Sequence, residues 1–196
     1  MHSRRLACLL LGLWLGAGVL MAWVARENLL GVDRLLAQPD PAATLRIKAL
    51  GRDQAHLLLR YYGSEQNRHF YELWEIVQVV LSAVFFFFLL FGTTEGKFSL
   101  TLALLLMVLV VSQRFILTPE TNALGRLLDF GSPDVLAGER AKFHVLHYTY
   151  DAVEAGKALI QVVLATILIA RGRSRSAESR HTVALGVGRG LPRYDR

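Results

Sequence analysis

Apolar residues along this chain fall in long blocks rather than in a two-residue alternation. Residues 6–24, 73–92, 98–117 and 154–170 are dense in Leu, Val, Ile, Phe and Ala. A helix needs about 20 such residues to cross a hydrocarbon layer of about 30 Å, so the pattern predicts four transmembrane helices. The first block follows Arg4-Arg5 and precedes Ala25, as a signal peptide would. Its length, and Trp23 three positions before that cleavage point, favour a retained anchor. Residues 42–62 carry Leu45, Leu50, Leu57, Leu58 and Tyr61 at helical spacing and predict an amphipathic helix between the first two spans. Pro39 and Pro41 lie before it, Gly63 is placed to cap it, and Ser64 to start the next helix. GTTEG at 92–96 reads as a tight turn. Thr118-Pro119 is expected to end the third span, with a loop over 120–139 marked by Gly125, Gly131, Pro133 and Gly138. The fold class expected is all-α: a four-helix transmembrane bundle over residues 1–170 with an extracytoplasmic amphipathic helix. A disordered basic C-terminal tail, 171–196, completes the chain.

Composition agrees with a membrane class: 53% of the residues are hydrophobic. The net charge of +6 is concentrated at the ends, with Arg4 and Arg5 at one and seven arginines against two acids after position 170. Basic ends beside apolar spans are a topology signal before they are a nucleic-acid signal. They place both termini in the cytoplasm of a multi-pass protein of the inner (plasma) membrane, with no nucleic-acid partner. The single cysteine, Cys8, lies in an apolar run and permits no intramolecular disulfide. Gly12 and Gly16 in GLWLG form a small-xxx-small face, which favours close packing against another helix of the same bundle, a second copy or a membrane partner.

The fourth block carries the candidate chemistry. At 100° per residue, Arg140, His144, His147, Asp151, Glu154 and Gln161 fall within about 100° of one face of a single helix. The uncharged part of that helix, 158–170, is only about 20 Å long at 1.5 Å per residue. Spanning therefore draws Lys157 and Glu154 below the headgroups. Glu75 and Gln78 on the second span, and Gln113 and Arg114 on the third, reach the same depth. Ionisable groups inside a membrane are costly unless partnered, so the three helices are expected to meet in one polar cluster of Glu75, Gln78, Arg114, His147, Glu154 and Lys157. Such a cluster either locks the bundle as a neutral ion-pair network or lines a pocket for a small solute or ion.

His144-x-x-His147 with Asp151, and His69 and Glu72 on the second span, are metal-ligand types near one interface. Haem ligation between His147 and His69 is a related expectation, weakened by their shallow position. No G-x-S-x-G, P-loop or H-E-x-x-H motif is present, and no catalytic residue is expected. Trp23, Tyr71, Trp74, Tyr148 and Tyr150 read as an aromatic belt.

Several stretches resemble a bacterial four-span membrane family of unknown function related to the eukaryotic transmembrane proteins associated with cisplatin resistance. They are GLWLGAG at 12–18, ENLLGVDRLLA at 27–37, RYYGSEQNRHFYELWEIVQ at 60–78, TPETNALGRLLDF at 118–130 and FHVLHYTY at 143–150. The resemblance implies a membrane bundle with an outer polar cluster and brings no catalytic residues or activity.

Overall fold

The computed structural model describes residues 2–93, 96–131 and 136–187, with side chains over positions 3–171 of these. The described residues are helical apart from short connections, and no strand occurs among them. Four helical stretches are long and apolar enough to cross a membrane: Ser3–Ala37, Arg52–Gly92, Lys97–Asp129 and Ala137–Arg171. The chain begins with α1, His2–Ala37, and a short α2, Pro41–Leu50. Asp40 caps α2 by accepting from the backbone N–H of Ala42 and Ala43 at 2.8 and 3.0 Å. Next come α3, Arg52–Gly92, and α4, Lys97–Ser112, and a π-helical turn, Gln113–Leu117, leads into α5, Thr118–Asp129. Finally α6 runs from Ala137 to Val187.

Four boundaries differ from the sequence expectation. The first span does not stop at position 24, because α1 continues to Ala37 and pairs with the first half of α3. Asn28 donates to Asn67 at 2.8 Å, and Asn67 donates to the Ala25 carbonyl at 2.9 Å, so amides seal the pair beyond its apolar stretch. Gly63 is no cap. It is buried inside α3, where an added Cβ would lie 3.6–3.7 Å from Asn28 O, Leu29 and Val32, so this glycine brings α1 close. The break falls instead at Gly51, whose φ of 89° suits glycine and separates α2 from α3.

Thr118-Pro119 does not end the third span either. Pro119 lies directly after the π turn, and the backbone stays helical into it, with Leu117 and Thr118 both at right-handed helical angles. The stretch expected to be a loop is therefore helical as far as Asp129. At the C-terminal end, α6 passes Ala170 and runs on to Val187, so the first part of the basic tail is helix rather than irregular chain. Positions 188–196 lie outside the described residues, as do Thr94 and Glu95 of the expected tight turn.

Two apolar layers fill the bundle. Nearest the chain termini, Ala7, Leu11, Phe85, Leu89, Ala103, Leu164 and Leu168 pack together. Above them lie Trp14, Trp74, Leu106 and Val110. Phe85 points into the first layer while Phe87 faces outward, so the phenylalanine run serves both core and perimeter. In lipid such packing has no hydrophobic drive between helices and depends on dispersion and polar contacts. The polar layer above these two therefore matters more to association than it would in water.

Candidate functional site

Three helices build the polar layer. On α3 the buried positions Glu75, Gln78, Ser82, Phe85 and Leu89 recur every three or four residues, so the three polar side chains extend the core-facing stripe. On α6 Lys157, Gln161, Leu164 and Leu168 do the same. On the third span the buried positions step through Ser99, Ala103, Leu106, Val110 and Gln113, and the next is Thr118. That last step is one residue longer than an α-helix allows. The π turn absorbs the extra residue, with the Thr118 N–H bonded to the Gln113 carbonyl, and so keeps Thr118 on the inner face.

The side chains form a network of two bonded groups in one layer, one around Glu154 and one around Glu75. Lys157 donates from Nζ to Gln78 Oε1 at 2.6 Å and to Glu154 Oε1 at 2.8 Å. The same Glu154 oxygen accepts from Gln113 Nε2 at 2.9 Å and, weakly, from Gln78 Nε2 at 3.5 Å. Glu75 Oε1 accepts from Tyr150 Oη at 3.0 Å and from the Thr118 hydroxyl. Its other oxygen, Oε2, has the Arg114 guanidinium 3.7 Å away, an ion pair beyond hydrogen-bond distance. The pairing is therefore Glu75 with Arg114 and Glu154 with Lys157, two carboxylates against two cations. Glu75, Gln78 and Gln113 are each 1% exposed and Lys157 2%. Two buried side-chain oxygens among the described residues have no hydrogen-bond partner: Glu75 Oε2 and Gln113 Oε1. Buried acceptors are nearly always satisfied in folded proteins, which makes this pair conspicuous.

Five of the six expected cluster residues thus belong to the network, and His147 does not. Its side chain is 57% exposed, faces Asp151 at 3.8 Å and stacks on Phe143. The titratable face of α6 divides: His144, His147 and Asp151 point outward, whereas Lys157 and Gln161 are buried. The metal expectation fails on geometry. Among the described residues no three His, Cys, Asp or Glu side chains come together as a metal-holding group. His69 is exposed on α3, and Glu72 accepts instead from Asn122 Nδ2 at 2.8 Å. Haem between His69 and His147 is unsupported for the same reason, since both rings lie on the outside.

Sequence reasoning missed Tyr150, Thr118 and the cluster role of Gln113. Tyr150 reads as belt, yet its hydroxyl reaches Glu75 and its ring meets Tyr71 edge-on at 5.8 Å. Trp74 is likewise buried in the core, while Trp23 and Tyr148 keep exposed positions. The usable signal was the stripe itself, because Tyr150 sits one turn before Glu154 and two turns before Lys157.

No family model, curated protein or solved structure matches this chain.

Proposed function

We propose that the chain is a non-enzymatic, multi-pass protein of the inner membrane whose buried polar layer binds a small hydrogen-bond donor, a solute or a small cation, and aids its passage. The observation that carries this reading is the pair of buried acceptors, Glu75 Oε2 and Gln113 Oε1, without a donor of their own. Leaving such an acceptor unpaired costs about 1–3 kcal/mol, so a guest that donates to it gains affinity. The pairing of Glu75 with Arg114 and of Glu154 with Lys157 balances charge, which suits a neutral donor or a monovalent cation over a multivalent one. The arginines at positions 4 and 5 and in the tail favour a cytoplasmic location for both termini, with α2 and α5 on the opposite side.

A second reading is supported by the remaining bonds. Lys157, Gln78, Glu154 and Tyr150 are satisfied within the network, as in a scaffold whose ion pairs only hold the helices together. Thermal unfolding in mild detergent separates the two. Ammonium, methylammonium and sodium chlorides, and acetamide, are compared with tetramethylammonium chloride, which has no hydrogen-bond donor. Stabilisation that grows with the logarithm of concentration for at least one of the four, absent with tetramethylammonium, is the expected result. An identical response to all of them would leave the scaffold reading in place.

A further inference from the structure

The polar layer is buried, so a guest needs a way in. The α3–α5 seam differs from the other helix contacts around the layer. Elsewhere polar bonds are accompanied by interlocked apolar side chains, as in the packing of α1, α3, α4 and α6, and no α5 residue belongs to those apolar clusters. Along α3 and α5 the contacts are rungs of long polar side chains, set one helical turn apart. Thr118 meets Glu75, and Asn122 meets Glu72 at 2.8 Å. Arg126 meets Glu65 at 3.0 Å, and Asp129 meets Arg68 at 2.8 Å. Arg68 also bonds Glu65 at 2.6 Å, which joins the last two rungs into one clasp. Gly125 leaves room for this: an added Cβ would fall 2.7 Å from an Arg68 guanidinium nitrogen. At the far end Tyr61 and Phe130 close the seam with a ring contact at 4.9 Å.

Polar rungs and a ring contact hold this seam without an apolar core, and they can exchange partners with water as the helices part. The lowest rung is Glu75 itself, so parting the seam uncovers the acceptor that lacks a donor. A hinge is also in place. The π turn at Gln113–Leu117 joins α4 to α5, and its wider winding offers an alternative hydrogen-bond register to the backbone. Beside α6, by contrast, α5 packs more closely than beside α3, which makes the α3 side the one that opens.

We infer that α5 is a lid over the polar layer, hinged at the π turn and latched to α3 by Arg68, Glu65, Arg126 and Asp129, and that the small polar guest enters through this seam. The inference rests on the binding reading above, but its test does not require a guest.

In a Cys8→Ala background, Thr118→Cys places a thiol behind the lid, and Glu120→Cys places one on the exposed side of α5 as a control. Labelling by a charged, water-soluble thiol reagent is timed in detergent. Arg68→Gln removes the centre of the latch and is expected to speed Thr118→Cys labelling about tenfold, the shift in an opening equilibrium that one broken, partly buried ion pair produces, with the control unchanged. Gly125→Ala, which keeps every charge but displaces the Arg68 head group, is expected to act in the same direction. Arg126→Gln, at a side chain 55% exposed, is expected to give a smaller rise. Equal labelling rates in the parent and in whichever of these variants fold would overturn the lid. Faster labelling without any guest-dependent stabilisation would keep the lid and discard the binding reading.

Discussion

Lys157 Nζ lies 2.6 Å from Gln78 Oε1, a bond between α6 and α3 made where both side chains are buried. The ammonium is thereby held between an amide oxygen and Glu154; its removal strands Gln78 Oε1 and leaves Glu154 without its cation, with the Gln113 amide as its nearest donor. Lys157→Met should lower stability by about 2 kcal/mol. This is less than the full cost of breaking a buried pair, because one third of the Glu154 side chain is exposed. Reversible unfolding in mixed micelles measures it. The double variant Lys157→Met/Glu154→Gln should recover part of the loss, whereas strictly additive losses would mean that the two residues are not coupled.

Thr118→Val keeps the volume of a side chain whose hydroxyl donates to Glu75. It leaves Tyr150 as the remaining hydrogen-bond donor to Glu75 Oε1, at a cost of about 1–2 kcal/mol. Combined with Tyr150→Phe, the loss should exceed the sum of the single effects, because Glu75 then has no donor to either oxygen. A denaturation midpoint unmoved by either change would refute the network as drawn.

Two glycines separate the α1–α3 contact from the α2–α3 corner. Gly63→Ala meets only ordinary contact distances and should stabilise by up to about 1 kcal/mol through helix propensity. Gly63→Phe should instead force α1 and α3 apart and cost about 2 kcal/mol or more. Gly51→Ala should cost more than about 1 kcal/mol with no steric contact at all, because φ is 89° there. Thermal melts of the three variants check the order.

The sequence carried the membrane architecture well and the local joints poorly, and the reason differs from joint to joint. Four apolar blocks identify four spans because no other solution satisfies their backbone in lipid. The depth argument brought Glu75, Gln78, Arg114, Glu154 and Lys157 together because three helices, each forced to cross, have little freedom in height. Which glycine breaks a helix was not readable. Gly63 is explained by close approach to Asn28 and Val32, a tertiary fact. Proline at position 119 reads as a stop until the π turn before it is known. That turn leaves no mark in a run as uniformly apolar as Phe115-Ile116-Leu117. Facing was misjudged at His147 because a 100° stripe spans both the buried and the exposed side of a helix, and at Tyr150 because a tyrosine near the membrane interface reads as belt.

The most direct test is the unfolding midpoint of the wild-type protein and of Glu75→Gln, each titrated with ammonium chloride against tetramethylammonium chloride at matched ionic strength. Glutamine preserves the shape of Glu75 but removes its negative charge and can supply its own donor where Oε2 stood. The wild type is predicted to gain stability with the logarithm of ammonium concentration, about 2.7 kcal/mol at a hundredfold excess over the dissociation constant, and Glu75→Gln to gain none, from a basal midpoint lowered because Arg114 loses its carboxylate partner. Equal ammonium-dependent rises in both proteins, or none in either, would contradict the binding reading.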